Sequence, residues 1–273
     1  MKVVLFCGGA GMRLRGYSED VPKPMVTIGA RPVLWHVMKY YAHFGHKEFI
    51  LCLGYKANSI KNYFLEYEES VSNDFVFSQG GRQLDFVQRD IDDWKITFVD
   101  TGQRSTIGDR LRLVEPYLQG EEMFLANYSD GLTDFHLPTL VDEFSKRDGY
   151  VSFLSVQPRS SSLDTIQLSN TGTVEAIRSM KDSNVWVNGG YFVLRKDVFK
   201  YLKPGEEFVY EPMQRMISEK RVWSHRYDGF WQCMDTFKDK QILDELEASG
   251  EAPWCVWKNG CRPAQSASGV TAR

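Results

Sequence analysis

Short apolar runs alternate with helical periodicity through the first half of the chain. Lys2–Phe6 is a short apolar run that stops at glycine, the pattern of a strand buried on both faces. Phe49–Leu53 reads as a second buried strand, and Lys95–Val99 and Met123–Ala126 read as a third and a fourth strand. Pro32 opens a helix in which Val33, Val37, Tyr41 and Phe44 recur at three- and four-residue spacing, and Gly45 ends it. Ile60–Phe64 belongs to a second helix, and a third is expected from about Asp109 to Leu118. Strands alternating with helices imply right-handed crossovers and an α/β fold with a mainly parallel sheet covered on both faces.

The second half is less regular. Tyr150–Val156, Val174–Ile177, Val187–Leu194 and Arg221–Arg226 read as strands separated by Ser/Thr/Asn/Gly turns, and Asp239–Leu246 reads as a C-terminal helix. No internal repeat or interdomain linker interrupts residues 1–258, which are expected to form a single domain. The small, polar stretch 259–273 is expected to be a disordered tail.

Composition narrows the class. Of the 273 residues, 42% are apolar and 25% charged, which excludes a disordered chain. A net charge of −3 gives no general pull toward nucleic acid or anionic lipid, so bound phosphate must be held by local groups. The amino-terminal apolar run is too short for a signal peptide, and no later segment approaches a membrane span. Five dispersed cysteines without CxxC spacing suit a reducing cytoplasm. Cys7 and Cys52, inside apolar runs, are expected to be buried free thiols.

Candidate chemistry begins directly after the first strand, with Gly8-Gly9-Ala10-Gly11-Met12-Arg13-Leu14. Glycines there let backbone N–H groups approach phosphate oxygens, and Arg13 adds a planar cation. No Gly-Lys-Ser/Thr follows, so it is not a Walker loop, and Leu14 stands where a dinucleotide fingerprint needs its third glycine. Ten residues on, Lys23 lies between Pro22 and Pro24, so its ammonium extends from a stretch with little backbone freedom. Asp130, in Tyr-Ser-Asp-Gly at the carboxyl end of a strand, sits where open α/β sheets gather ligands, and a Mg²⁺ ligand is a natural role for it. Asp235, between Phe230-Trp231-Gln232 and the last helix, reads alone as a helix N-cap. His36 reads as structural, while His43 and His46 flank a helix end whose carbonyls they can satisfy.

Taken in order, Gly8–Leu14, Lys23-Pro24-Met25, the Asp130 turn, Val187-Asn188-Gly189-Gly190 and the Asp235 segment resemble the sugar nucleotidyltransferases, in the branch that uses CTP and glucose 1-phosphate. Pro32–His36, Gly54-Tyr55-Lys56, Val99–Gly102, Gly229–Gln232, Met234–Thr236 and Ala252-Pro253-Trp254 extend the likeness over about residues 2–258. The resemblance implies a Rossmann-like, mainly parallel mixed sheet of the nucleotide-diphospho-sugar transferase type, with a small irregular β/α C-terminal part. It implies a Mg²⁺-dependent cytidylyltransferase joining CTP and a sugar 1-phosphate, and a homo-oligomer. By position, Gly8, Gly9 and Gly11 would cradle the nucleotide, Arg13 and Lys23 would grip the phosphates and act in catalysis, and Asp130 with Asp235 would hold the metal. Asn188 and Gly190 would contact the sugar side.

The chain departs from that pattern twice. The family's Glu-Lys-Pro falls on Ser179 and Met180, with Lys181 displaced by one residue as the candidate sugar-phosphate ligand and Arg178 as a second. The branch's Thr-Gly-Gly-Arg, on the nucleotide side, is Ile107-Gly108-Asp109-Arg110 here, which makes Arg110 a nucleotide-binding candidate. Four further readings stay open: another nucleoside triphosphate, another phosphorylated acceptor, a non-catalytic nucleotide-sugar binder, or a glycosyltransferase.

Overall fold

The computed structural model describes residues 1–9, 21–158, 164–180 and 183–258. Its centre is a seven-stranded sheet of β1 (Val3–Phe6), β2 (Glu48–Leu53), β3 (Lys95–Asp100), β4 (Met123–Asn127), β5 (Val151–Val156), β6 (Val187–Arg195) and β7 (Val222–Tyr227). The spatial order is β7-β5-β6-β4-β1-β2-β3. β1 pairs in parallel with β2 and β4, β2 with β3, and β5 with β7, while β6 runs antiparallel to β4 and β5. The α/β reading therefore holds, with β6 the one reversed strand of the central sheet. Reversal puts the start of β6 beside the end of β4, with Tyr191 opposite Asn127.

Both faces of the sheet are covered, which is why β1 reads as an unbroken apolar run. Val3, Leu5 and Cys7 pack into one core with α1 (Val33–His43) and the face of α4 (Leu137–Ser145) that carries Leu137, Leu140 and Phe144. Val4 and Phe6 pack into the opposite core with α3 (Ile107–Val114) and α5 (Glu211–Ser218). The remaining helices are α2 (Ala57–Leu65) and α6 (Phe237–Ala248). Nearly every residue of α1 is buried, more than its four-residue apolar stripe requires. The closing segment explains this: Trp254 donates to His36 Nδ1 at 3.2 Å, and Trp257 meets Trp35 edge-on at 5.8 Å.

Several local expectations change. The segment read as one helix to Leu118 is α3 followed by a 3₁₀ turn over Glu115–Leu118, because Pro116 cannot continue the ladder. Val174–Ile177 is a strand, but it pairs with Asp164–Leu168 in a separate hairpin. His43 and His46 do not cap α1 with their rings. The backbone N–H groups of Gly45 and His46 donate to Ala42 and Tyr41, a Schellman ending. Cys7 and Cys52 are buried free thiols, as expected. Among the described residues no helix is long and apolar enough to cross a membrane.

Candidate active site

The carboxyl ends of β1, β2, β3 and β4 lie at one edge of the sheet, where a cavity of about 540 Å³ opens. Glycine permits the close approach at this edge. A Cβ on Gly54 would stand 2.7 Å from the Gly102 carbonyl and 2.9 Å from that of Gly8. One on Gly8 would lie 2.0 Å from the guanidinium of Arg110. That guanidinium is buried and joins three strand ends: it donates to Thr101 Oγ1 at 2.5 Å, to the Leu53 carbonyl at 3.2 Å and to the Gly8 carbonyl at 3.2 Å. Arg110 thus borders the cavity while its hydrogen bonds hold the frame of the glycine turn. The neighbouring Asp109, where the resemblance has a glycine, turns away from the cavity. It accepts from Gly205 N at 2.9 Å, and that bond, with Thr106, holds its carboxyl below the usual range.

Asp130 is placed by a strained turn at the end of β4. Ser129 N–H donates to Asn127 Oδ1 at 2.7 Å, the Ser129 hydroxyl donates to the Phe6 carbonyl at 2.8 Å, and Ser129 adopts φ +64. The chain then enters a two-stranded ribbon, Gly131–Thr133 against Trp231–Cys233, in which Gly131 faces Cys233. Met234 N–H donates to the Asp130 carbonyl at 2.9 Å. This pairing brings Asp235 alongside Asp130. The helix α6 that follows is capped by Thr236, whose hydroxyl accepts from Asp239 N–H while Asp239 accepts from Thr236 N–H. Asp235 is therefore not the N-cap that its position alone suggests. It precedes the cap, and its carboxylate reaches the site.

Lys23 completes the group. Lys23, flanked by Pro22 and Pro24, opens a 3₁₀ turn over Lys23–Met25, closed by Met25 N–H to the Pro22 carbonyl at 2.8 Å. From this fixed base the Lys23 ammonium donates to Asp130 Oδ2 at 2.6 Å and to Asp235 Oδ1. Burial alone would lower the lysine's pKa, but the two carboxylates outweigh it and the net shift is upward. For Asp130 burial dominates, so its carboxyl is pushed up in spite of Lys23. The site thus concentrates charge in a place where charge is poorly solvated.

The sugar-side candidates stand one step behind the cavity wall. Asn188 Oδ1 accepts from Gly190 N–H at 2.9 Å, and its amide donates to the Tyr128 hydroxyl at 3.2 Å. They fix Tyr128, whose ring lines the cavity. Arg178 lies on the separate hairpin, its carbonyl accepting from Thr165. Gly11, Arg13 and Lys181 fall outside the described residues. Ile107, from the segment matched to the branch's Thr-Gly-Gly-Arg, lines the cavity too, and the sequence reading missed Ser105, Glu207, Val209 and Tyr210, which line it as well. For Glu207, Val209 and Tyr210 the local sequence signal was the Pro204-Gly205 turn before Glu206-Glu207, which carries no chemistry by itself.

Asp130 and Asp235 have the donor chemistry for a hard divalent cation: oxygen ligands from different elements, within reach of one ammonium. Among the described residues no group of three or more His, Cys, Asp or Glu forms a fuller ligand set. A cation here would complete its shell from water and phosphate oxygens, which is the habit of Mg²⁺.

A mainly parallel sheet with a glycine turn, a fixed lysine and paired acids at its carboxyl edge defines a nucleotide-handling α/β protein. The chain belongs to the nucleotidyl transferase family, whose model matches residues 2–239. It is 35% identical over 260 residues to glucose-1-phosphate cytidylyltransferase of Salmonella typhimurium, covering 94% of this chain and all of the relative. Mannose-1-phosphate guanyltransferase of Saccharomyces cerevisiae is 24% identical over 250 residues, covering 89% of this chain and 63% of that protein. Solved structures share the fold. UDP-glucose pyrophosphorylase complexed with UDP-glucose superposes with a TM-score of 0.66 at 16% identity, over 91% of this chain and 98% of the other. The inositol-1-phosphate CTP transferase from T. maritima gives 0.60 at 16% identity, over 90% and 96%.

Proposed function

We propose that this protein joins CTP to a sugar 1-phosphate, with glucose 1-phosphate the leading acceptor, and releases pyrophosphate and a CDP-sugar. The observation that carries the reading is the Lys23 ammonium held by Asp130 and Asp235 beside the cavity. The likeness to the Salmonella enzyme over its full length supports the choice of substrates.

The chemistry needs no general base. A phosphate monoester has its second pKa near 6, so the acceptor is already an anion at neutral pH. One of its oxygens attacks the α-phosphorus in line, a new P–O bond forms, and the bond to the β-phosphate oxygen breaks with its electron pair leaving on pyrophosphate. Positioning and charge neutralisation then carry the rate. Gly8 and Gly9 offer backbone to the triphosphate, Gly11 and Arg13 extend that grip, and Lys23 stabilises charge on the reacting phosphate. Asn188 and Gly190, through Tyr128, shape the sugar side, and Lys181 supplies the acceptor phosphate with a cation. Asp130 and Asp235 would hold Mg²⁺, which would supply further neutralisation of the triphosphate. The free thiols at Cys7, Cys52, Cys233 and Cys255 suit a cytoplasmic location.

Four nucleoside triphosphates assayed against several sugar phosphates, scored by pyrophosphate release, test the reading. The expected result is turnover greatest for CTP with glucose 1-phosphate. A different best pair would reassign the substrates, and no turnover with any pair would leave a nucleotide-sugar binder.

A further inference from the structure

One ammonium occupies the oxygens that a divalent cation would use. Lys23 Nζ donates to Asp130 Oδ2 at 2.6 Å and to Asp235 Oδ1, and the three side chains are 15%, 24% and 39% exposed. Charges at this depth are screened less than surface pairs, and two cations cannot share the same oxygens at contact distance without strong repulsion. The frame around the group is rigid where it must be. Asp130 is fixed by its turn and ribbon, Asp235 by the capped start of α6, and the Lys23 backbone by its 3₁₀ turn. What remains free to swing is the lysine's four-carbon stem. A triphosphate, with several negative charges, offers that ammonium a stronger partner than two carboxylates.

We propose that Lys23 gates the carboxylate pair. It holds Asp130 and Asp235 against a divalent cation in the free protein and releases them when a nucleoside triphosphate draws its ammonium away. Cation and nucleotide therefore bind with strong mutual cooperativity, and Lys23 is the residue that couples them. This inference rests on the reading of the two acids as the metal ligands.

Mn²⁺ binding, followed by enhancement of water-proton relaxation so that protein-bound ion is distinguished from ion held by nucleotide alone, tests it. Wild-type protein is expected to bind Mn²⁺ weakly alone and tightly with the α,β-methylene analogue of CTP. Lys23→Ala and Lys23→Gln, checked for native circular dichroism, are expected to bind Mn²⁺ at least about tenfold more tightly than wild type without nucleotide, the size of a typical coupling between sites. The gain on adding the analogue should shrink in both. If both lysine variants bind the ion no more tightly than wild type, while Asp130→Asn abolishes binding, the gate is wrong and the metal assignment stands. If Asp130→Asn and Asp235→Asn bind Mn²⁺ as wild type does in the presence of the analogue, the metal assignment fails and the gate with it.

Discussion

Ser129 is a non-glycine residue in the left-handed region, held there by two hydrogen bonds so that Asp130 leaves the end of β4 toward the cavity. Such a conformation costs about 1–2 kcal/mol for an L-residue, and a β-branched side chain tolerates it worst. Ser129→Val is expected to lower stability by about 2 kcal/mol in urea denaturation and to reduce kcat by displacing Asp130. An unchanged denaturation midpoint would show that the turn carries no strain. At this scale Lys23 and Asp130 were legible, because a lysine between prolines and an acid after a buried strand both signal a fixed charge. The framing contacts of Arg110 were not. They run to carbonyls of residues far along the chain, Gly8 and Leu53, and no local spacing encodes such a meeting. Asp235 was legible only through resemblance, since read locally it resembled the cap that Thr236 supplies.

The ribbon and α6 act as one device that carries Asp235 to Asp130. Thr236 caps α6 and so fixes the direction in which the preceding aspartate leaves the ribbon. Thr236→Ala is expected to cost about 1 kcal/mol of stability and also to lower kcat/KM. Loss of stability with full activity would mean that the ribbon alone sets Asp235. The seven strands of the central sheet and helices α1, α2, α3 and α6 were legible, mostly because apolar runs and 3.6-residue stripes are signals that burial itself imposes, although β7, with no fully buried residue, carries little of that signal. Helix α4 was not recognised, because Pro138 near its start and a short length weaken the stripe of Leu137, Leu140 and Phe144. Helix α5 likewise carries only Pro212, Met213 and Met216 inward. The hairpin Phe75–Ser78 with Gln83–Phe86 escaped notice because its side chains are mostly exposed, so burial leaves no pattern.

Taken whole, the molecule sets a reactive edge on a double-sided core, and the closing segment binds that core to His36. Burial lowers the His36 pKa to about 4, and burial lowers that of His46 likewise to about 4. The unfolded chain takes up protons near the ordinary value of about 6.5, so the stabilising contribution is complete above that pH and is lost as pH falls toward 4. For His36 this amounts to about 3 kcal/mol. Asp130, its carboxyl pushed up by burial, acts in the opposite direction. The reading is therefore the difference between proteins: between pH 7 and pH 4.5, wild type should lose more stability in urea than His36→Gln. Equal losses would show that His36 is protonated in the fold. At the edge, Asp130 and Asp235 form one unit joined through Lys23. Rates of pyrophosphate release from wild type, Asp130→Asn, Asp235→Asn and the double variant, all at saturating Mg²⁺, test that claim most directly. Each single change should lower kcat/KM at least about a thousandfold, and the double variant should be little slower than either, as for residues that act together. Near wild-type turnover in either single variant, or losses that simply multiply in the double, would contradict it.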